Sequence, residues 1–183
     1  ADCYIEPTSL DELSTVVRFT SDHHVPLFII GAGTNLLISD SGIRGVVMSL
    51  KTGFSGYTIH GSTLIAQSGL MLSKLLAISH ENGLTGLGFL AGIPGTLGGS
   101  VFMNAGTSNR FIGEIIQEGL IWNPDSMSVE TIHHDDFQFS YRASSLQRTR
   151  FILLQATLSL SFGNIEEEKK QIQQSKERRL QTQ

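Results

Sequence analysis

The sequence predicts an α+β fold built from two lobes. Three observations support this prediction. The first fifty residues follow a β-α-β-β pattern, the segment from 54 to 69 changes to short alternating strands, and helix-like runs interrupt the strands that come after it. The change of pattern places the boundary between the lobes near residues 50–55.

The first lobe contains an amphipathic helix near its start. Ser9 and Glu12 have the spacing of a capping box, in which a serine oxygen and a glutamate carboxylate accept hydrogen bonds from free N–H groups at the start of a helix. Leu13 and Val17 then recur at the spacing of one helix face. A helix over residues 9–22 is therefore expected.

Three apolar runs follow this helix. The run PLFIIGAG at 26–33 ends in glycine, which is typical of a buried strand that leads into a tight turn. The runs LLIS at 36–39 and GVVMSL at 45–50 also predict strands, because an Asp-Ser-Gly turn separates them. These runs would complete the β-α-β-β unit.

The second lobe is expected to begin with a hairpin. The segments YTIH and TLIAQS alternate apolar and polar residues on either side of Gly61 and Ser62. LSKLLAISHENG at 72–83 predicts a helix that stops at Gly83. Further strands are expected at 115–122, 127–132 and 151–161, with a short helix at 133–137.

The last segment predicts a charged helix that begins near Ile165. Its few apolar residues form a poor stripe for packing, so it fits either a helix that leads towards an absent domain or a solvated terminal helix. The predicted division is a first lobe at 1–52, a second lobe at 53–163 and the charged helix at 164–183.

Composition and charge narrow the possible functions. The 183 residues are 40% hydrophobic with a net charge of −4, so no basic field indicates nucleic acid or an anionic membrane as a partner. The apolar runs are too short to span a bilayer and the first residues lack a signal-peptide pattern, so a cytoplasmic protein is expected.

The single cysteine, Cys3, excludes an internal disulfide and is interpreted as a small buried residue. The histidines lack the i, i+4 spacing of a helical zinc site, and no metal is expected.

The first glycine loop reads GAGTNLLISD at 31–40. A dinucleotide fingerprint would require a third glycine at the position of Leu36, and no Gly-Lys-Ser/Thr follows as in a P-loop. The Gly31–Ala32–Gly33 turn can still present successive N–H groups to a diphosphate. An ordinary turn between strands would need the same glycines, so both interpretations stay open at this point.

The second glycine loop reads AGIPGTLGGSVFMNAG at 91–106. Pro94 fixes φ and Gly95 permits a positive φ, so a rigid turn is expected. Gly98 and Gly99 lack a Cβ and allow a flat ligand or another backbone to come close. Two rigid loops, one in each lobe, predict a dinucleotide between the lobes.

Three strings carry a resemblance to a known family. GAGTNLLISDSGIRGVV at 31–47, GLTGLGFLAGIPGTLGGSVFMNAG at 83–106 and FSYRASSL at 139–146 resemble the UDP-N-acetylenolpyruvoylglucosamine reductases, also called UDP-N-acetylmuramate dehydrogenases. The resemblance runs in order through nearly the whole chain. It implies the two-lobed FAD-binding fold of the vanillyl-alcohol-oxidase/PCMH type, with a small β-α-β lobe and a larger antiparallel-sheet lobe with helices.

The resemblance also implies an activity. The family reduces UDP-N-acetylglucosamine enolpyruvate to UDP-N-acetylmuramate, a peptidoglycan precursor, with NADPH as donor and hydride transfer through flavin N5 of FAD. Arg142 matches the catalytic arginine, and Tyr141 and Arg142 match substrate contacts. A serine and a glutamate of the family's C-terminal domain have no counterpart in this chain. An FAD-binding module without a complete catalytic site, or a related flavin oxidase, is the alternative.

The resemblance assigns two groups of residues to the cofactor. The residues expected at the FAD diphosphate are Gly31, Ala32, Gly33, Thr34, Asn35, Leu36 and Leu37. The residues expected along the flavin are Gly92, Ile93, Pro94, Gly95, Thr96, Gly98, Gly99, Asn104, Ala105 and Gly106.

Overall fold

Two main β-sheets, one in each lobe, organise the described part of the chain. The computed structural model describes residues 1–107 and 110–182. Its parallel and antiparallel sheets with packed helices confirm the predicted α+β fold in two lobes. The predicted segments 53–163 and 164–183 include Ser108, Asn109 and Gln183, which lie outside the described residues. The division at residues 52 and 163 stays a prediction.

The first lobe is a three-stranded parallel sheet. Its strands are β1 (Cys3–Ile5), β2 (Leu27–Ile30) and β3 (Val46–Ser49), in the spatial order β1-β3-β2. All four residues of β3 are buried because this strand is central. Helix α1 (Leu10–Asp22) connects β1 to β2 and turns Leu13 and Val17 inward.

Three expectations for this lobe were wrong. Residues 36–39 form an exposed loop, because among the described strands only β3 pairs with β2 and residues 36–39 have no neighbouring strand. The strand before the helix in the predicted β-α-β-β pattern, for which no residues were assigned, is the short β1, and Cys3 within it is exposed rather than buried. The β2 run is only partly covered, with Phe28 46% and Ile29 42% exposed. In each case, strand formation or burial depends on which segment, distant in sequence, packs next to the residues concerned.

The start of α1 follows the predicted cap with one change. Ser9 Oγ accepts a hydrogen bond from the Glu12 N–H at 3.2 Å. Glu12 Oε2, however, accepts from the Thr8 N–H at 2.7 Å and from the Thr8 hydroxyl at 2.9 Å. The Thr8 N–H, followed by its hydroxyl, lowers the pKa of Glu12 below its ordinary value of 4.5.

The second lobe contains a five-stranded antiparallel sheet and two short strand pairs. Its strands are, in chain order, β4 (Tyr57–His60), β5 (Thr63–Gln67), β6 (Leu84–Thr85), β7 (Gly106–Thr107), β8 (Arg110–Phe111), β9 (Ile116–Asn123), β10 (Ser128–His133), β11 (Ile152–Ser159) and β12 (Ser161–Phe162). The large sheet has the order β10-β9-β11-β5-β4, while β6 pairs with β12 and β7 with β8. The predicted hairpin at 54–69 is confirmed as β4 and β5.

Three α-helices accompany these strands within the described residues. They are α2 (Leu72–Glu81), α3 (Leu97–Phe102) and α4 (Ile165–Thr182). Gly83, at φ +71°, follows α2 and donates its N–H to the His80 carbonyl at 3.1 Å, which confirms the predicted stop. The helix α3 was not predicted, because its sequence LGGSVF contains two glycines. No helix in the described part of the chain is long and apolar enough to span a membrane.

Two apolar clusters form the core. The larger lies in the second lobe, between the five-stranded sheet and helices α2 and α3. The smaller joins the lobes, because Leu13 and Val17 of α1 pack in one cluster with Trp122, Ile152 and Leu154 of the second sheet. The two lobes therefore share buried contacts as well as a covalent connection.

Replacing Ser9 with alanine tests the cap of α1. We expect Ser9→Ala to lower the free energy of unfolding by about 1 kcal/mol, because it removes the acceptor for the Glu12 N–H. Ser14→Ala, within the same helix, is the control and should change it by less than about 0.5 kcal/mol. Equal losses in urea unfolding of the two variants would contradict the cap.

The lowered pKa of Glu12 predicts a pH dependence. A group with a lower pKa in the folded state stabilises the fold above its unfolded pKa, and that contribution is lost as the pH falls through the folded pKa. Wild type should therefore be more stable than Glu12→Gln above about pH 4.5, with the difference shrinking at lower pH. Urea unfolding of both proteins between pH 3 and pH 7 measures it; a difference that grows towards low pH would contradict the prediction.

Candidate functional site

A deep cleft lies between the two lobes and contains both glycine loops. Its volume is about 1370 Å³. This exceeds the roughly 300–1,000 Å³ of ordinary small-ligand pockets, so the cleft can hold a large, extended ligand. The predicted site residues that line it are Gly31, Ala32, Gly33, Thr34, Asn35, Leu36, Ile93, Pro94, Gly95, Thr96, Gly98, Gly99, Ala105 and Arg142.

The two loops contact each other directly across the lobes. The Thr34 hydroxyl donates a hydrogen bond to the Pro94 carbonyl at 3.1 Å. A Cβ added at Gly31 would lie 2.5 Å from Thr96 Oγ1, so glycine is required for this close approach. The loops, although far apart in sequence, form one continuous wall of the cleft.

The first loop offers unused backbone donors. Within residues 1–107 and 110–182, no hydrogen bond engages the backbone N–H groups of residues 32–37. Gly33 has φ +71° and no atom within 4 Å of an added Cβ, so it borders open space. Consecutive free N–H groups beside open space are the geometry in which a turn binds an anion.

The second loop leads into α3, whose first turn borders the cleft. The Thr96 hydroxyl oxygen caps this helix by accepting the Gly99 N–H at 3.3 Å. The Gly98 N–H donates to the Ser68 carbonyl at 2.7 Å, and an added Cβ at Gly98 would lie 2.9 Å from Ser68 Cβ. Glycine at 98 is therefore required by packing against the end of β5.

Ser68 carries a polar group that the described residues leave unpaired. Its hydroxyl is buried and has no hydrogen-bond partner among them. Its residue lines the cleft. A buried hydroxyl without a partner is costly, so Ser68 is an unsatisfied polar group beside the cleft wall.

The cleft also has an apolar wall that the sequence reasoning missed. Phe28 and Ile29 of β2 and Phe102 of α3 are 46%, 42% and 42% exposed and line the cleft. Such partly exposed apolar side chains favour contact with the flat faces of an aromatic ligand. The available signal was the long apolar run at 26–30, which was interpreted as a fully buried strand.

The charges along the cleft have one sign. The lining residues, all within the described ranges, include Lys51, Arg142 and Arg150 but no aspartate or glutamate. Arg150 is paired with Asp125, whereas neither Lys51 nor Arg142 forms an ion pair with a described residue. In a chain with net charge −4, this arrangement favours an anionic ligand in the cleft.

Arg142 is held in an uncommon backbone conformation. Its φ is +56°, in the left-handed region that non-glycine residues adopt mainly where the surrounding structure enforces it. Its guanidinium carbon lies 5.8 Å from the centre of the Tyr141 ring. Tyr141 itself is 79% exposed and does not line the cleft, so the pair meets the solvent at the cleft's edge.

Four further predicted residues lie away from the cleft lining. Leu37 is fully exposed, and Gly92 occupies an exposed turn at φ +81°. Gly106 pairs with Phe111 in the β7–β8 ladder. Asn104 is only 5% exposed, and both ends of its side-chain amide are bonded within the protein.

A family match accounts for the cleft between the lobes. Residues 1–131 match the FAD binding domain family. The chain belongs to this family. In the described part of this FAD-binding chain, no group of three His, Cys, Asp or Glu side chains could hold a metal ion.

Relatives of this FAD-binding chain share one name. It is 37% identical over 183 residues to the UDP-N-acetylenolpyruvoylglucosamine reductase of Caldanaerobacter subterraneus subsp. tengcongensis, covering 100% of this chain and 60% of the relative. It is 38% identical over 184 residues to that of Anoxybacillus flavithermus, covering 61% of the relative. The chain thus spans about 60% of the length of these relatives. The resemblance predicted from the three strings is confirmed.

Solved structures agree with this relationship. The crystal structure of UDP-N-acetylenolpyruvylglucosamine reductase (MurB) from Thermus caldophilus superposes with a TM-score of 0.81 at 26% identity, covering 96% of this chain and 61% of that one. A solvent-stable cholesterol oxidase shares the fold at a TM-score of 0.71 and 20% identity, covering 87% of this chain and 34% of that one. The predicted FAD-binding fold of the vanillyl-alcohol-oxidase/PCMH type is confirmed.

The cleft's chemistry fits FAD. A diphosphate needs hydrogen-bond donors and positive charge, which the free N–H groups of residues 32–37 and the unpaired cations supply. A flavin ring needs flat apolar surfaces, which the partly exposed Phe28 and Phe102 offer. The residues present therefore suit the cofactor that the family binds.

Proposed function

We propose that this chain is the FAD-binding part of an NADPH-dependent reductase that converts UDP-N-acetylglucosamine enolpyruvate to UDP-N-acetylmuramate. The observation that carries the proposal is Arg142, a cation without an ion pair among the described residues, at the edge of a cleft that suits FAD. The similarity over the whole chain to proteins named as this reductase supports it.

The two loops divide the work of holding the cofactor. The N–H groups of residues 32–37 hold the diphosphate, with Thr34 fixing this loop against Pro94. The turn at 92–96 and the start of α3 lie along the flavin, where Gly99 leaves room for a flat ring. When bound, FAD would supply the redox chemistry that carries a hydride equivalent from NADPH to the enolpyruvyl group.

Arg142 supplies electrostatic stabilisation on the substrate side. Negative charge grows on the enolpyruvyl carboxylate and the carbon next to it during reduction, and a fixed cation there lowers the barrier. A guanidinium stays charged at all working pH values and can hold a carboxylate with two parallel hydrogen bonds. Tyr141, stacked beside it and 79% exposed, is in reach of the same substrate.

A charge placed at Gly33 tests the diphosphate site. Gly33 has φ +71° beside open space, and both asparagine and aspartate tolerate this conformation. Gly33→Asp should weaken FAD binding at least about tenfold more than Gly33→Asn, because only the aspartate repels the diphosphate. Titration of the apoprotein with FAD at low and moderate salt measures both affinities. Equal affinities of the two variants would contradict the assignment.

The Arg142→Ala variant, made in the full-length protein, tests the catalytic role of Arg142. Flavin absorbance should still bleach with NADPH, because Arg142 acts on the other substrate. Reoxidation by the enolpyruvyl substrate should slow by about 10²–10³, the usual cost of removing one transition-state donor. Arg148→Ala is the matched control, since Arg148 bonds Gln138 and does not line the cleft. A normal reoxidation rate in Arg142→Ala would refute the role.

The same measurement separates the second candidate, an FAD-binding module without turnover. This candidate needs only the cleft and its two glycine loops, all of which lie within the described residues. A module would bind FAD but would not be reoxidised by the enolpyruvyl sugar after bleaching. An oxidase would instead produce hydrogen peroxide from the bleached protein in air.

A further inference from the structure

The turn that carries Arg142 is closed by its own backbone. The Ser140 N–H donates to the Ala143 carbonyl at 3.0 Å, and the Ala143 N–H donates to the Ser140 carbonyl at 3.2 Å. Arg142 sits inside this turn at φ +56°. A left-handed conformation costs an arginine free energy, so contacts from outside the turn help its own hydrogen bonds to maintain it.

Gln147 provides one such contact. Its Nε2 donates to the Arg142 carbonyl at 3.1 Å and to the Phe102 carbonyl at 2.9 Å, and it lies 3.6 Å from Met103 Sδ. Phe102 is the last residue of α3, where helix carbonyls lack partners within the helix. One side-chain amide thus connects the arginine turn to the C-terminal end of α3.

Asn104 connects the turn from the other side. Its Nδ2 donates to the Ser140 carbonyl at 2.8 Å, while its Oδ1 accepts the Gly113 N–H at 3.0 Å. Asn104 is 5% exposed, so these bonds form out of contact with solvent. The arginine turn is therefore bound to α3 and to the residue just beyond it, and the first turn of α3 lines the cleft.

We infer that Gln147 is a positioning residue that fixes the Arg142 turn relative to α3, and hence the guanidinium relative to the cofactor. This inference rests on the proposed function for its consequence in catalysis, but its structural part concerns the turn alone. Gln147 is the better test residue because its side chain is exposed, whereas removing Asn104 leaves the buried Gly113 N–H without its acceptor.

Two variants of Gln147 provide a matched comparison. Gln147→Leu keeps the approximate size of the side chain and removes its donors. Gln147→Lys restores donors at similar reach, because an ammonium group carries three N–H bonds for the acceptors that Gln147 now serves. A role in positioning predicts that leucine loosens the turn and that lysine largely rescues it.

Amide hydrogen exchange tests the positioning without any turnover. In Gln147→Leu the amides of Ser140 and Ala143 should exchange at least about tenfold faster, while those of Leu13 and Val17 in α1 keep their wild-type rates. Gln147→Lys should return the turn to within about threefold of wild type. Unchanged protection of Ser140 and Ala143 in Gln147→Leu would overturn the inference, and faster exchange throughout the chain would do the same by showing a general structural role.

A double-mutant cycle then tests the consequence for Arg142. Gln147→Leu alone should slow reoxidation by the enolpyruvyl substrate about tenfold, with bleaching by NADPH unchanged. Because Gln147 also borders the cleft, FAD affinity is measured alongside and should change by less than about threefold. In the Arg142→Ala background it should have no further effect, because its action passes through Arg142. An equal loss in both backgrounds, or weaker FAD binding with normal reoxidation, would overturn the inference. If the Arg142→Ala variant is itself reoxidised at the normal rate, the proposed function is wrong. The amide hydrogen exchange of Ser140 and Ala143 then decides by itself whether Gln147 positions the turn.

Discussion

The structure depends on the apolar contact that joins its two lobes. Leu13 and Val17 of α1 share a buried cluster with Trp122, Ile152 and Leu154 from the large sheet. Each side chain of this kind contributes about 1.5–3 kcal/mol when fully buried, so the lobes cannot separate without a large loss of stability. The contact therefore holds the two walls of the cleft side by side. Without that contact the glycine loops would belong to two independent units and could not form one wall.

Charge distribution gives the cleft its preference for anions. The chain carries a net charge of −4, yet the cleft lining includes unpaired Lys51 and Arg142 and, among the described residues, no carboxylate. Backbone N–H groups alone would bind a diphosphate through partial charges. The exposed side-chain cations along the cleft add full charges.

The glycine-rich segments serve two purposes, close packing of protein atoms and room for a ligand, and the sequence alone does not distinguish them. Gly31 and Gly98 are required because protein atoms approach them, Thr96 in one case and Ser68 in the other. The open space for a ligand lies beside their neighbours. Asn104 shows the same division, since its amide bonds Ser140 and Gly113 and supports the arginine turn from beneath. Within one loop, therefore, some residues pack against protein and form the cleft wall, whereas their neighbours present free N–H groups to a ligand.

The sequence by itself determined the features that act over a few residues. The cap at Ser9, the stop at Gly83 and the hairpin of β4 and β5 follow from hydrogen bonds and periodicities within one element. The three motif strings also indicate the family by themselves, since their residues and order are features of the sequence alone. Tertiary structure alone decided that residues 36–39 form no strand, that LGGSVF forms a helix, that Phe28 faces a cleft, and that Asn104 points inward. These outcomes depend on partners distant in sequence, because strand pairing, burial and side-chain direction are set by what packs alongside.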